Sequence, residues 1–193
     1  ESVKNFHPES CFHLLLSDDI PEWFNLENEP FDNVIHISEL NIDNLPSWQF
    51  KHNIVELCTA VKGVTLKLLL EKYQAEKAFY FDPDTVLFSR IDCLLEHLES
   101  SSILLTPHQC EPESSHGAIM DNEICSLIHG VFNLGFVGVA NDHDGRAFAD
   151  WWGSRLHDFC YDDKAMGLFT DQRWVDLAPC FFDGVKVLRG PQY

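Results

Sequence analysis

The sequence predicts an α/β protein. Strand-like and helix-like segments alternate along the 193-residue chain, and no internal repeat, low-complexity tract or glycine/serine linker divides them. With 45% hydrophobic residues the chain can bury a core of ordinary size, which favours one domain over residues 1–193. Polar residues gather just behind the strand-like runs, where open α/β sheets bind their ligands.

"CFHLLLS" (11–17) and "NVIHIS" (33–38) read as short strands. A helix of roughly 20 residues follows around 51–73, with Ile54, Leu57, Val61, Val64 and Leu68 at three- and four-residue steps. "KAFYF" (77–81) lacks alternation, so it reads as a strand buried on both faces, ending at Asp82 and Asp84. "DCLLEHLE" (92–99) is a short helix, and "SSILLTPH" (101–108) is a strand stopped by Pro107. Residues 109–130, with Pro112, "ESSHG" and "DNE", form the long loop expected in mid-chain. "GVFNLGFVGVAN" (130–141) resumes as a strand, and "GRAFADWWGSRLHDF" (145–159) puts Phe148, Trp152, Leu156 and Phe159 on one helical face. "TDQRWVDLAPCFF" (170–182) is a short helix with Thr170 as N-cap, and "VKVLRG" (185–190) is a final strand. Trp151 and Trp152 read as core packing, although a tryptophan at a cleft edge can stack on a sugar face.

Composition excludes several classes. A formal net charge of −18 with no basic patch repels phosphate backbones, so no nucleic-acid partner is expected. The longest apolar stretches are about half the ~20 residues of a membrane-spanning helix, and the N-terminus lacks a basic-then-apolar leader. Cysteines at 11, 58, 93, 110, 125, 160 and 180 are odd in number, form no CxxC pair and mostly sit among apolar residues. That pattern suits neither a zinc knuckle nor a disulfide framework, and a soluble protein of the reducing cytoplasm is the expectation.

"FYFDPDTVLF" (79–88) places Asp82 and Asp84 on either side of a proline. Carboxylates that close repel unless a proton, a cation or a phosphoryl group occupies the space between them. Three readings are open. Asp-Pro-Asp is good turn chemistry by itself. "FYFDPDTV", with "ILLT" ending at Thr106, also resembles the signature of haloacid-dehalogenase-type phosphatases, which would make Asp82 a nucleophile and Asp84 an acid or base beside magnesium. The third reading is a DxD site where Mg2+ or Mn2+ bridges an acidic protein to the diphosphate of a nucleotide sugar and stabilises the departing diphosphate.

"ELCTAVKGVTLKLLLEKY", "AFYFDPDTVLFS", "ILLTPH", "VFNLGFVGVAN", "FADWWGSRLHDFCYDD" and "GLFTDQRWVDLAPCFFDGVKVLRGPQY", in that order, resemble a bacterial family of nucleotide-sugar glycosyltransferases with the GT-A fold, over roughly residues 11–193. The ordered trio of DxD, FNxGF and DQ is also similar to motifs of glycogenin-like retaining transferases. The resemblance implies a Rossmann-like domain with a mixed, mostly parallel central sheet flanked by helices. It makes Asp82 and Asp84 the ligands of Mn2+ or Mg2+, Asn133 a donor-sugar contact, Gly135 a point of close backbone approach, and Asp171 and Gln172 the pair near the anomeric carbon. An oxygen-bearing side chain there would assist an oxocarbenium-like transition state. Asn133 could equally satisfy backbone groups between strands, and Asp171 could extend the N-cap of the next helix.

The resemblance also makes Lys62 a donor contact, whereas helical phasing turns it away from the Leu57, Val61, Leu68 stripe and reads as a solvated lysine. His108 is either a structural residue at a loop edge or a donor contact. The expected partners are a nucleotide sugar and an unspecified glycan, lipid or protein acceptor. Against the family pattern the chain opens near the end of the first helix and closes at "GPQY", so the first strand and the C-terminal part, with its metal-binding histidine, are expected to be missing. Arg173 in "DQR" stands where relatives carry a third carboxylate, which leaves the stereochemical outcome open. A non-catalytic sugar-binding domain is the remaining alternative.

Overall fold

Residues 1–190 of this computed structural model are described, and among them six strands form two sheets. The Pro191–Tyr193 end of the last stretch carrying the resemblance lies outside the described residues. Strands β1 (His13–Leu16) and β2 (Asn33–His36) pair in parallel. The larger sheet comprises β3 (Lys77–Phe81), β4 (Ile103–Pro107), β5 (Phe132–Ala140) and β6 (Val185–Val187), in the order β3-β5-β4-β6. With helices around it, this is an α/β architecture with a mixed sheet.

Strand β5 runs antiparallel to both β3 and β4, while β6 runs parallel to β4. The expected mostly parallel pairing is therefore corrected, although β3, β4 and β6 do share one direction. The cause lies in residues 109–131, which leave β4 and return to β5 at the same end of the sheet, with Pro107 paired to Phe132. A connection that stays at one end of the sheet must reverse the strand. Those residues are not the expected loop: Ser115 caps a helical run, His116–Ala118, Ile119–Ile124 with a wide π turn, and Cys125–His129.

The helix expected over 51–73 is two helices, Ile54–Ala60 and Lys62–Glu71, which break at Val61. Ile54 is 82% exposed, and the buried face of the second helix is Lys62, Gly63, Leu66 and Leu70. Gly63 sets that phase, since a Cβ on it would lie 2.4 Å from the Gly153 nitrogen of the His143–Phe159 helix. Such close backbone approach turns Lys62 inward, which corrects the solvated reading. Phe148, Trp152 and Leu156 join Ile35, Leu105 and Val137 in one core, whereas Phe159, the helix's last residue, is half-exposed.

β3 is an edge strand on which Ala78 alone is fully buried, so the expected burial of both faces does not occur. Thr170 is not the N-cap. It has φ +44°, Asp171 occupies the cap position, and the helix is Gln172–Val175. The expected apolar setting of the cysteines holds only for Cys160; the other six are exposed, because they fall on solvent-facing sides of their elements, and all seven are free. No helix among the described residues is long and apolar enough to cross a membrane.

Candidate functional site

A bulge in β5 makes the site. Leu105 pairs with Val137, but Thr106 pairs with Asn133, so Leu134, Gly135 and Phe136 have no register partner on β4. Backbone groups released from a ladder need other partners, and bulges recur beside functional sites for that reason. The Thr106 hydroxyl donates to the Asn133 carbonyl (3.1 Å), the Lys62 ammonium to the Leu134 carbonyl (3.0 Å), and the Gly135 N–H to Asn133 Oδ1 (2.9 Å). The Asp82 N–H then donates to the Gly135 carbonyl (2.9 Å), which extends β3 past its end and ties the DxD turn to the bulge.

Lys62 is 4% exposed and lies between two carboxylates, 2.9 Å from Asp171 Oδ2 and 3.5 Å from Asp82 Oδ1. The nearer contact is ionic, since Oδ2 of Asp171 receives no hydrogen bond of proper geometry. Asp171 is 3% exposed; its Oδ1 accepts from the Thr170 hydroxyl (3.0 Å), and its carbonyl accepts from the Trp152 indole N–H (3.2 Å). Its side chain makes no capping bond to the helix that follows. Asp82 is more open, with Oδ1 accepting from the Tyr80 hydroxyl at 2.5 Å. The Tyr80 ring lies 4.5 Å from the Lys62 ammonium. Burial, reinforced by Asp82, pushes the Tyr80 phenol well above its usual range, so it remains a donor at ordinary pH.

Asp84 is exposed in the turn that the Thr85 N–H closes on the Asp82 carbonyl (2.9 Å), and it has no partner among the described residues. Asp82 Oδ2 also takes no hydrogen bond among the described residues, and a Cβ on residue 135 would come within 3.1 Å of it, so glycine there preserves the space. The Asp82 Oδ2 oxygen on that space is a hard donor of the kind that suits Mg2+ or Mn2+. Among the described residues no group of three or more His, Cys, Asp or Glu is placed to hold a metal.

Gln172 points elsewhere, into a cleft of about 540 Å³ lined by His108, Gln109, Cys125, His129 and Phe169 among others. Its amide nitrogen lies 3.1 Å from the His129 carbonyl and 3.1 Å from His108 Nε2. Gly130, at φ +120°, leaves room for it; a Cβ there would meet Gln172 Cγ at 2.9 Å. Asp176, beside the cleft, accepts from the Val131 N–H (2.9 Å), and burial raises its carboxyl above the usual range. A separate cleft of about 240 Å³ between the Lys62–Glu71 and His143–Phe159 helices contains none of these groups.

The structure thus brings Lys62, Asp82, Asn133, Gly135 and Asp171 together, and places His108 with Gln172 on the other side of the Asp171–Gln172 peptide. Asn133 uses its oxygen on the bulge, as the backbone reading of it expects, and its amide NH2 is exposed without a partner among the described residues. The sequence reading missed Tyr80. Tyr80 was signalled by the two-residue strand period that puts it on the same face as Asp82. No protein family matches the chain, and no match is found among curated proteins or solved structures.

Proposed function

We propose that this chain is a GT-A-like, metal-dependent glycosyltransferase domain that takes a sugar from a nucleotide diphosphate donor. The observation that carries the reading is the convergence of Lys62, Asp82, Gly135 and Asp171, from distant parts of the sequence, at the end of β3 beside the β5 bulge. Asp82 and Asp84 would hold Mg2+ or Mn2+, which when bound supplies charge to the leaving diphosphate. Lys62 neutralises the buried Asp171 and fixes Asp82, leaving Asp82 Oδ2 toward the ligand space. Asn133 has an amide NH2 to offer a sugar hydroxyl. Gln172 has a carbonyl oxygen without a hydrogen bond among the described residues, which would serve the positive charge that develops at the anomeric carbon.

One observation favours a phosphatase instead, the Lys62 ammonium 3.5 Å from a carboxylate that could attack phosphorus. The Thr106 hydroxyl, however, is committed to the Asn133 carbonyl rather than left to hold a phosphoryl group. Calorimetric titration with a panel of nucleotide sugars, with and without manganese, separates the two. Manganese-dependent binding of at least one donor is expected. Simple phosphate ester hydrolysis with an acyl phosphate on Asp82 would overturn the transferase reading.

A further inference from the structure

The Gln172 amide is held by groups that dictate which way round it sits. The His129 carbonyl can only accept, so the atom 3.1 Å from it must be the amide nitrogen. That nitrogen is also 3.1 Å from His108 Nε2, and an amide nitrogen has no lone pair to give. His108 Nε2 must therefore be the acceptor, and its ring proton sits on Nδ1. Both Gln172 N–H bonds are then spent, and Oε1, which takes no hydrogen bond among the described residues, is the one polar atom of the side chain left for the cleft. Gly130 leaves room for the Gln172 stem, which a Cβ there would crowd.

We infer that His108 is a positioning residue which, in its neutral form, clamps the Gln172 amide with its carbonyl oxygen presented to the cleft, and that protonation of His108 releases the clamp. The imidazolium carries N–H on both nitrogens, so Nε2–H would face the amide N–H. Turning the amide by half a rotation would satisfy His108 but set Oε1 against the His129 carbonyl. Neither arrangement keeps both contacts and a free Oε1. The titratable groups that line this cleft with His108 are Glu113, Asp121, Cys125 and His129, and beside it Asp176, within electrostatic reach of His108, is paired to Arg173 at 2.6 Å. This assigns His108 to orientation of Gln172 rather than to donor contact, and its catalytic consequence rests on the transferase reading.

Nitrogen-15 NMR of the protein tests the clamp without reference to activity. The expected result is a neutral His108 with its proton on Nδ1, and a Gln172 side-chain amide, assigned through Gln172→Leu, that shifts with the same midpoint as the His108 ring. In His108→Gln, whose side-chain oxygen supplies an acceptor that does not titrate, that shift disappears. An Nε2–H tautomer, or an amide indifferent to His108 titration, overturns the proposal. With a nucleotide sugar and manganese, kcat should lose an acid limb in His108→Gln and fall by about tenfold or more in the permanently cationic His108→Lys, with the donor KM unchanged in both. A raised KM with unchanged kcat would make His108 a donor contact and sink the inference. If the NMR signature is present but no nucleotide sugar is turned over, the clamp stands and the transferase reading falls.

Discussion

Asp171 and Gln172 share a peptide bond and live in opposite chemical circumstances. The Asp171 side chain is 3% exposed, with one oxygen bonded to Thr170 and the other against the Lys62 ammonium. The Gln172 side chain is partly exposed, its amide nitrogen lies 3.1 Å from both the His129 carbonyl and His108 Nε2, and its carbonyl oxygen has no hydrogen bond among the described residues. A side chain whose every polar atom is committed to the protein shapes the field of a site. One with a single uncommitted atom, held rigidly, can act on a ligand. Of the pair that the DQ motif suggested, Asp171 is the one that holds Lys62, and on the proposed transferase reading Gln172 is the one left to face a reacting carbon.

The largest effect should come from removing the charge that Asp171 needs. Lys62→Met leaves a buried carboxylate without its counter-charge and should cost about 3–5 kcal/mol of stability, measured by urea denaturation. Asp171→Leu added to Lys62→Met should recover much of the loss, since replacing both partners removes the desolvated charge along with the pair. Asp82→Asn, at the open end of the same lysine, should cost about 1 kcal/mol or less, because solvent screens a pair whose carboxylate is 38% exposed. Equal losses for Lys62→Met and Asp82→Asn would erase the distinction between the buried and open halves.

On the Gln172 side, the sensitive position is Gly130. An alanine there must adopt φ +120° and put its Cβ 2.9 Å from Gln172 Cγ. Strain of that kind costs roughly 1–3 kcal/mol. Gly130→Ala should also displace Gln172 while leaving the Lys62 contacts intact, so donor turnover should drop more than donor affinity. A variant with wild-type kcat would break the link between this glycine and the chemistry.

How legible each half was follows from how local its determinants are. The strands at 77–81 and 103–107 and the helix over 143–159 were readable because apolar runs and periodicity are short-range properties. Asp82, Asn133 and Asp171–Gln172 were found as short motifs. The burial of Lys62 was not, because it depends on Gly63 meeting Gly153, far away in sequence, and helical phasing counted from Leu57 gave the wrong face. The bulge that releases Leu134 and Gly135 is a mismatch between strands, invisible in either strand alone. Residues 109–130 looked like a loop because Pro112, two serines, a glycine and Asp-Asn-Glu are all turn-prone. The Ser115 side chain nonetheless caps a helical turn there by accepting from the Ala118 N–H.

Asp84 should show the smallest structural effect of all. It is exposed, bonded to nothing among the described residues, and sits in a turn held by main-chain atoms and Pro83. Asp84→Ala should therefore change stability by no more than about 0.5 kcal/mol. Its effect on binding should be the reverse. If Asp82 and Asp84 together seat a cation that also touches the diphosphate, manganese tightens the donor and the donor tightens manganese by the same factor, as linkage requires. Removing one of the two carboxylates should abolish that mutual enhancement in calorimetric titrations while the urea midpoint stays put. Should donor affinity keep its full manganese dependence without Asp84, the metal seat is elsewhere, and the open half of the site loses the role that distinguishes it from the buried half.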